Sequence, residues 1–276
     1  MPGQKRKALD MEHAEAIEDE GDKVCVVLDM DECLVQTGPT SVFHSGFLLE
    51  YGRNSTVPVG GFVKHYLARG GARPWLMELL KMLKDWLDQG RIDKVIIYTA
   101  SPNESGWVTF MQQCLEVYAG TPGLFGDCLS RKDCELVHLE QGGRAYQKDL
   151  MKIGSGYKVR VMVDDKPEHV RNGFKIGVTA YTQKVNMDAM YKWAKELLPT
   201  HWAQISAALK EDSELYPGSC EDQSQDDSLW LAAEALAEAC PPRCNPAKVS
   251  TGLRQPELPH NPLLRYYRGG VLNQLE

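Results

Sequence analysis

The sequence lacks any long apolar run. Its longest, such as Val95-Ile96-Ile97-Tyr98, are strand-sized, far short of the roughly 18–20 residues that a membrane-spanning helix needs. The opening Met1-Pro2-Gly3-Gln4-Lys5-Arg6-Lys7 turns acidic without the apolar segment of a secretory signal. The eight cysteines contain no Cys-x-x-Cys pair. Cys240 and Cys244 are spaced like half of a zinc site, but no second pair follows. His44, His65, His138, His169 and His201 show no ligand spacing and read as surface or satisfied histidines. No strand–GxxxxGK[ST]–helix element occurs, so Gly60-Gly61 and Gly70-Gly71 read as turns. There is no internal repeat. These absences exclude a helical membrane protein, a zinc module and a P-loop enzyme. They place the protein inside the cell, nuclear or cytoplasmic, with reduced thiols. Lys5-Arg6-Lys7 is a weak nuclear-localisation cluster.

What is present suits one α/β domain with tails: 276 residues, 43% of them hydrophobic. The net charge of −7 is unevenly spread. Residues 1–22 carry −4 and residues 211–276 carry −6, which leaves the body at +3. A mildly basic body suits an anionic substrate, while the acidic ends read as solvated tails. The composition divides the chain into an acidic tail over 1–22, a folded domain over 23–211 and an acidic, largely disordered tail over 212–276. Within that last tail, Leu229 to Ala239 is spaced as one amphipathic helix able to dock a protein partner.

Three runs, Val24–Leu28, Val95–Tyr98 and Val159–Val163, are short, apolar and β-branched, as buried parallel strands are. Gly177–Tyr181 reads as a further short strand. Helical spacing follows Pro74, with Trp75, Leu76, Leu79, Leu80, Leu83 and Trp86 on one face, and Gly90 ends it. A second helix is expected over about 104–118. A third is expected over 187–209, with a break at Pro199. Residues 43–70 mix aromatic and β-branched residues with Gly, Asn and Ser, and are expected as a strand-and-loop insertion, with hairpins. Strands alternating with helices predict an α/β fold built on a doubly wound parallel sheet. In such sheets the ligand sits beyond the carboxyl ends of the strands.

Reactive groups stand at those strand ends. The first strand runs into Asp29-Met30-Asp31-Glu32-Cys33, the second into Thr99-Ala100-Ser101 and the third into Asp164-Asp165. Carboxylates beside an apolar core need compensation, and a magnesium ion with its hard oxygen ligands supplies it. Phosphoryl transfer assigns roles to this set. Asp29 can attack phosphorus. Asp31, if held neutral at the start, can protonate the leaving oxygen and then activate water. The Thr99 hydroxyl and a lysine can balance charge on the phosphoryl oxygens. A single aspartate here would be an ordinary helix cap; paired carboxylates at two strand ends are harder to read that way.

Val27-Leu28-Asp29-Met30-Asp31-Glu32-Cys33-Leu34-Val35 resembles the DxDx[TV] motif of haloacid dehalogenase-type phosphatases. Its Glu32 matches the branch that dephosphorylates the C-terminal domain of RNA polymerase II, the FCP/SCP-like phosphatases that include the NLI-interacting-factor-like family. Arg73-Pro74, Ile97-Tyr98-Thr99-Ala100-Ser101, Ser130-Arg131-Lys132-Asp133-Cys134, Tyr146-Gln147-Lys148-Asp149-Leu150 and Val163-Asp164-Asp165-Lys166-Pro167 are similar to further motifs of that branch, in order. The resemblance covers roughly residues 23–195. It implies a haloacid dehalogenase-like, Rossmannoid sheet flanked by helices. It implies Asp29 as nucleophile, Asp31 as acid/base, and Thr99, Arg131 and Lys148 as phosphate or substrate ligands. The metal acids would be Asp29, Asp31 (through its backbone carbonyl), Asp164 and Asp165, holding Mg2+.

The resemblance further implies a phosphorylated protein or peptide as substrate. Cys33 departs from the family's usual Thr, and a thiol is a poorer donor for bracing the nucleophile loop. Two alternatives stay open. One is a catalytically weak docking protein of phosphatase fold. The other is a nucleotide or polynucleotide 3′-phosphatase, against which a body charge of only +3 weighs.

Overall fold

A computed structural model of the chain describes residues 23–37, 40–139, 142–215 and 223–242. The acidic stretch 1–22, the Lys5-Arg6-Lys7 cluster and Cys244 lie outside them. In chain order the elements are β1 (Val24–Leu28), α1 (Thr40–Tyr51), α2 (Val59–His65), α3 (Leu76–Asp88), β2 (Lys94–Ile97), α4 (Trp107–Ala119), β3 (Glu135–His138), β4 (Arg144–Asp149), β5 (Val159–Asp164), β6 (Val170–Arg171), β7 (Phe174–Gly177), α5 (Asp188–Leu197), α6 (Trp202–Leu215) and α7 (Ser228–Ala239). The central sheet has the order β2-β1-β5-β7 and is parallel throughout. A smaller sheet, β3-β4-β6, pairs β3 with β4 antiparallel and β4 with β6 parallel.

Alternation along β1 explains its unbroken apolar character. Val24, Val26 and Leu28 face one core and Cys25 and Val27 the other, so both faces are buried. The larger core holds the buried side chains of the helices. The smaller is closed by Leu150, Val170 and the second sheet's margin. Tyr98 joins the two sheets. Its hydroxyl donates to the carbonyl of Asp133 at 2.7 Å and accepts from the amide of Asp149 at 3.3 Å, which anchors the end of β4 against β2.

The parallel sheet flanked by helices agrees with the expectation from sequence, but the insertion after β1 does not. It is helical rather than stranded: α1 and α2 occupy most of 40–65. Phe43, His44 and Phe47 keep a helical period, and Phe43 and Phe62 pack with Trp107, Phe110 and Trp193. Gly61 belongs to α2 rather than to a turn. A Cβ there would lie 2.3 Å from the Trp193 ring, so the glycine permits close packing of α5. His44 is buried, with its ring against Trp107 and Phe110 and no hydrogen-bond partner for Nδ1. Trp75 is not core; it lies 44% exposed, just ahead of α3. The fourth strand is Phe174–Gly177, ahead of the 177–181 segment expected from sequence.

The helix expected near 229–239 is present as α7, and it docks on the chain's own body. Leu229, Ala232 and Leu236 are buried in the main core, and α7 meets α3, β5 and β7. The described part of the acidic C-terminal stretch is therefore not a detached tail. The break expected at Pro199 falls between α5 and α6.

Candidate active site

The central strands deliver their reactive groups to one end of the sheet. Asp29 follows β1, and its amide bonds to the carbonyl of Val163 on β5 at 2.9 Å. The chain then leaves strand geometry. The amides of Leu34 and Val35 return to the carbonyl of Met30, and Glu32 takes a left-handed φ of 59°. This tight turn sets Asp29 and Asp31 on different tasks, which two residues of one straight strand would not allow.

Asp29 is 5% exposed and faces Lys148, whose Nζ lies 2.7 Å from its Oδ1 and 2.8 Å from Asp164 Oδ2. Lys148 reaches this point from β4, in register with Val170 of β6. Asp164 closes β5, and its other oxygen accepts from the amide of Lys166 at 2.7 Å. Carboxylate oxygens of Asp29, Asp164 and Asp165 all lie within 4.8 Å of one another. Burial opposes the charge on Lys148, but Asp29 and Asp164 outweigh it and hold its pKa well above the usual lysine range. Burial pushes the Asp29 carboxyl well up; Lys148 opposes this, while Asp164 and Asp31 add to it.

Three carboxylates around one buried ammonium leave an excess of negative charge. Asp165 Oδ2 is buried without a hydrogen-bond donor, its cation partner being the half-exposed Lys166 Nζ at 3.5 Å. A hard divalent cation with oxygen ligands fits this set, and it would favour the ionised form of Asp29. The carboxylate of Asp31 is not in the group. Its Oδ1 accepts from the hydroxyl of Thr37 at 2.5 Å and its Oδ2 from the hydroxyl of Thr99. Thr99 is fully buried and itself accepts from the amide of Ser101 at 3.0 Å. Each hydroxyl can donate or accept, so a proton on either Asp31 oxygen finds a partner.

Arg131 stands apart at the rim. It is exposed, donates through Nε to the carbonyl of Ala100 at 2.8 Å, and lies 5.0 Å from the Tyr146 ring centre. Lys132 and Lys166 are exposed as well. Cys33 is fully buried and its thiol approaches the carbonyl of Val163 at 3.7 Å. Burial, with Asp29 and Asp164 nearby, pushes this thiol well up, so it stays protonated and serves as a weak donor to β5. Sequence reasoning assigns no role to Thr37, which the structure places on Asp31. Thr37 had one signal, a hydroxyl just past Val35 on the loop leaving the turn.

A parallel sheet with an aspartate pair after its first strand, a threonine after its second, a buried lysine and paired acids after its third defines a haloacid dehalogenase-type phosphatase. Residues 24–198 match the family model of the NLI interacting factor-like phosphatases, and the chain belongs to that family. No match was found among curated proteins. Phosphatases of this type generally use Mg2+, in keeping with the three-carboxylate group. Among the described residues no helix is long and apolar enough to cross a membrane.

Proposed function

We propose that the chain is a magnesium-dependent phosphatase that hydrolyses phosphomonoesters through an aspartyl-phosphate, with phosphoserine or phosphothreonine in protein as substrate. The observation that carries this reading is the Lys148 ammonium set between Asp29 and Asp164, within the group of three carboxylates that Asp165 completes. A carboxylate oxygen of Asp29 attacks phosphorus while the bond to the leaving alkoxide breaks, and Asp31 gives that oxygen its proton. Water then attacks the phosphorus of the acyl-phosphate, Asp31 takes the water proton, and inorganic phosphate leaves with Asp29 regenerated. Lys148 balances charge on the phosphoryl oxygens throughout. Magnesium held by Asp29, the Asp31 backbone carbonyl and Asp165, with Asp164 fixing Lys148 beside it, would supply further positive charge.

Two features support a protein substrate. The insertion after β1 packs its aromatic residues into the main core rather than forming a separate cap. Arg131, bonded to the carbonyl of Ala100, and Lys166, beside Asp165, offer exposed cations near the site to an anionic group on a larger molecule. The test is hydrolysis of p-nitrophenyl phosphate by wild type, Asp29→Asn and Asp31→Asn, each with magnesium and with chelator. The expected outcome is metal-dependent turnover, abolished in Asp29→Asn and nearly so in Asp31→Asn. A folded wild type without turnover would sink the enzymatic reading in favour of a docking protein. Faster release from a DNA 3′-phosphate than from a phosphoserine peptide would overturn the substrate class.

A further inference from the structure

The matched family region ends at residue 198, yet a later segment reaches the turn that carries the catalytic aspartates. Its route is Arg73. Arg73 is 1% exposed, and each of its three guanidinium nitrogens donates a hydrogen bond. Nη1 donates to the carbonyl of Cys33 at 2.9 Å, within the Met30–Val35 turn. Nη2 donates to the carbonyl and hydroxyl of Thr179 at 2.7 and 3.0 Å. Nε and Nη2 both donate to Asp226 Oδ2, at 2.9 and 2.6 Å. The backbone of Arg73 grips the same turn, its amide donating to the carbonyl of Leu34 at 3.0 Å.

Asp226 divides its carboxylate between two tasks. While Oδ2 holds Arg73, Oδ1 accepts from the amide of Ser228 at 2.8 Å and so fixes the start of α7. The far end of α7 is held by a second arginine. Arg91 donates to the carbonyls of Ala237 and Cys240, at 2.8 and 2.5 Å, where the helix dipole favours a cation. Upstream, Gln223 bonds to Thr182, Gln183 and Ala180, which ties the segment to the chain that follows β7. The segment is thus seated along its length. Asp226 is the carboxylate paired with Arg73 among the described residues. Without it, a buried guanidinium would lose its counter-charge while still bonded to the carbonyls of Cys33 and Thr179.

We infer that Asp226 is a positioning residue for the phosphatase reaction: through Arg73 it fixes the Met30–Val35 turn and hence the placement of Asp29 and Asp31. This rests on the phosphatase reading above. A rigid turn matters because attack and proton transfer demand placement within a fraction of an ångström. Asp226 lies outside the carboxylate group of the site and bonds to Arg73 and the amide of Ser228, so its loss is expected to act on kcat rather than on KM.

The test compares full-length wild type, Asp226→Ala, Asp226→Glu and Trp230→Ala. Trp230 packs on Trp75 with ring centres 5.3 Å apart, so its truncation should loosen the same helix while leaving the Arg73–Asp226 pair in place. Two readouts are taken: kcat and KM on p-nitrophenyl phosphate, and hydrogen exchange at the amides of Leu34 and Val35. Asp226→Ala is expected to lower kcat by roughly tenfold to a hundredfold with KM unchanged, and to speed exchange at both amides. Asp226→Glu should recover part of each loss. Trp230→Ala should leave both readouts near wild type at a comparable loss of melting temperature. Unchanged exchange in Asp226→Ala, or equal effects in Trp230→Ala, would overturn the inference. Faster exchange in a chain whose wild type has no turnover would uphold the link to the turn and count against the phosphatase reading alone.

Discussion

Exchanging Lys148 for methionine would remove the ammonium between Asp29 and Asp164 while keeping most of the apolar stem. Both carboxylates and the lysine are buried, at 5%, 1% and 4% exposure, so solvent does little to screen the loss. Removing one partner of a buried charge group costs about 3–5 kcal/mol. For a domain of this size each kcal/mol moves the melting temperature by about 2–4 °C, which gives a fall on the order of 10 °C. The assay is thermal unfolding at neutral pH in chelator and in magnesium. In chelator the full fall is expected. Magnesium should return part of it, since a bound ion at a hundred times its dissociation constant stabilises by about 2.7 kcal/mol and supplies the missing positive charge. The variant should therefore gain more from magnesium than wild type does. Turnover should drop by roughly 100–1000-fold even where the fold is restored. A variant that melts with wild type in chelator would refute the view that Lys148 compensates these carboxylates.

Two smaller perturbations test the surroundings. Thr37→Val removes one of the two hydroxyls on Asp31 and is expected to lower kcat about tenfold, the kinetic equivalent of one hydrogen bond to a charged group; unchanged kcat would mean that Thr99 alone holds Asp31. Burial lowers the His44 pKa from 6.5 to about 4, so the folded chain declines a proton that the unfolded chain accepts. The contribution of His44 to stability is complete above pH 6.5 and falls as pH drops towards 4. Urea unfolding across that range should show a shallower slope in His44→Leu, and parallel slopes would remove His44 as the cause.

Sequence and structure agree where chemistry is written locally. The apolar runs of β1, β2 and β5 and the carboxylates after them place Asp29, Asp164 and Asp165 at one end of a sheet before any coordinates are seen. Lys148 needed the resemblance, because it enters from a different sheet. The insertion was misread because glycine pairs and β-branched residues speak for turns and strands, whereas Gly61 is there to admit the ring of Trp193. No local pattern could reveal that, since the two residues meet only in the folded core. The fourth strand was placed late because Val178 to Tyr181 has strand-like residues but serves the turn instead, with the amide of Tyr181 donating to the carbonyl of Glu32. Asp226 lies 153 residues from Arg73, in a stretch whose acidity reads as solvated tail.

That separation also has a meaning in time. The strand that leads to the nucleophile leaves the ribosome well before the carboxylate that pairs with Arg73. A growing chain would carry all the chemistry of the site by Asp165 but would have to wait some sixty residues more for the counter-charge of Arg73. Competence would then wait on Asp226, and a chain released before it would hold every catalytic group around a turn without its full support.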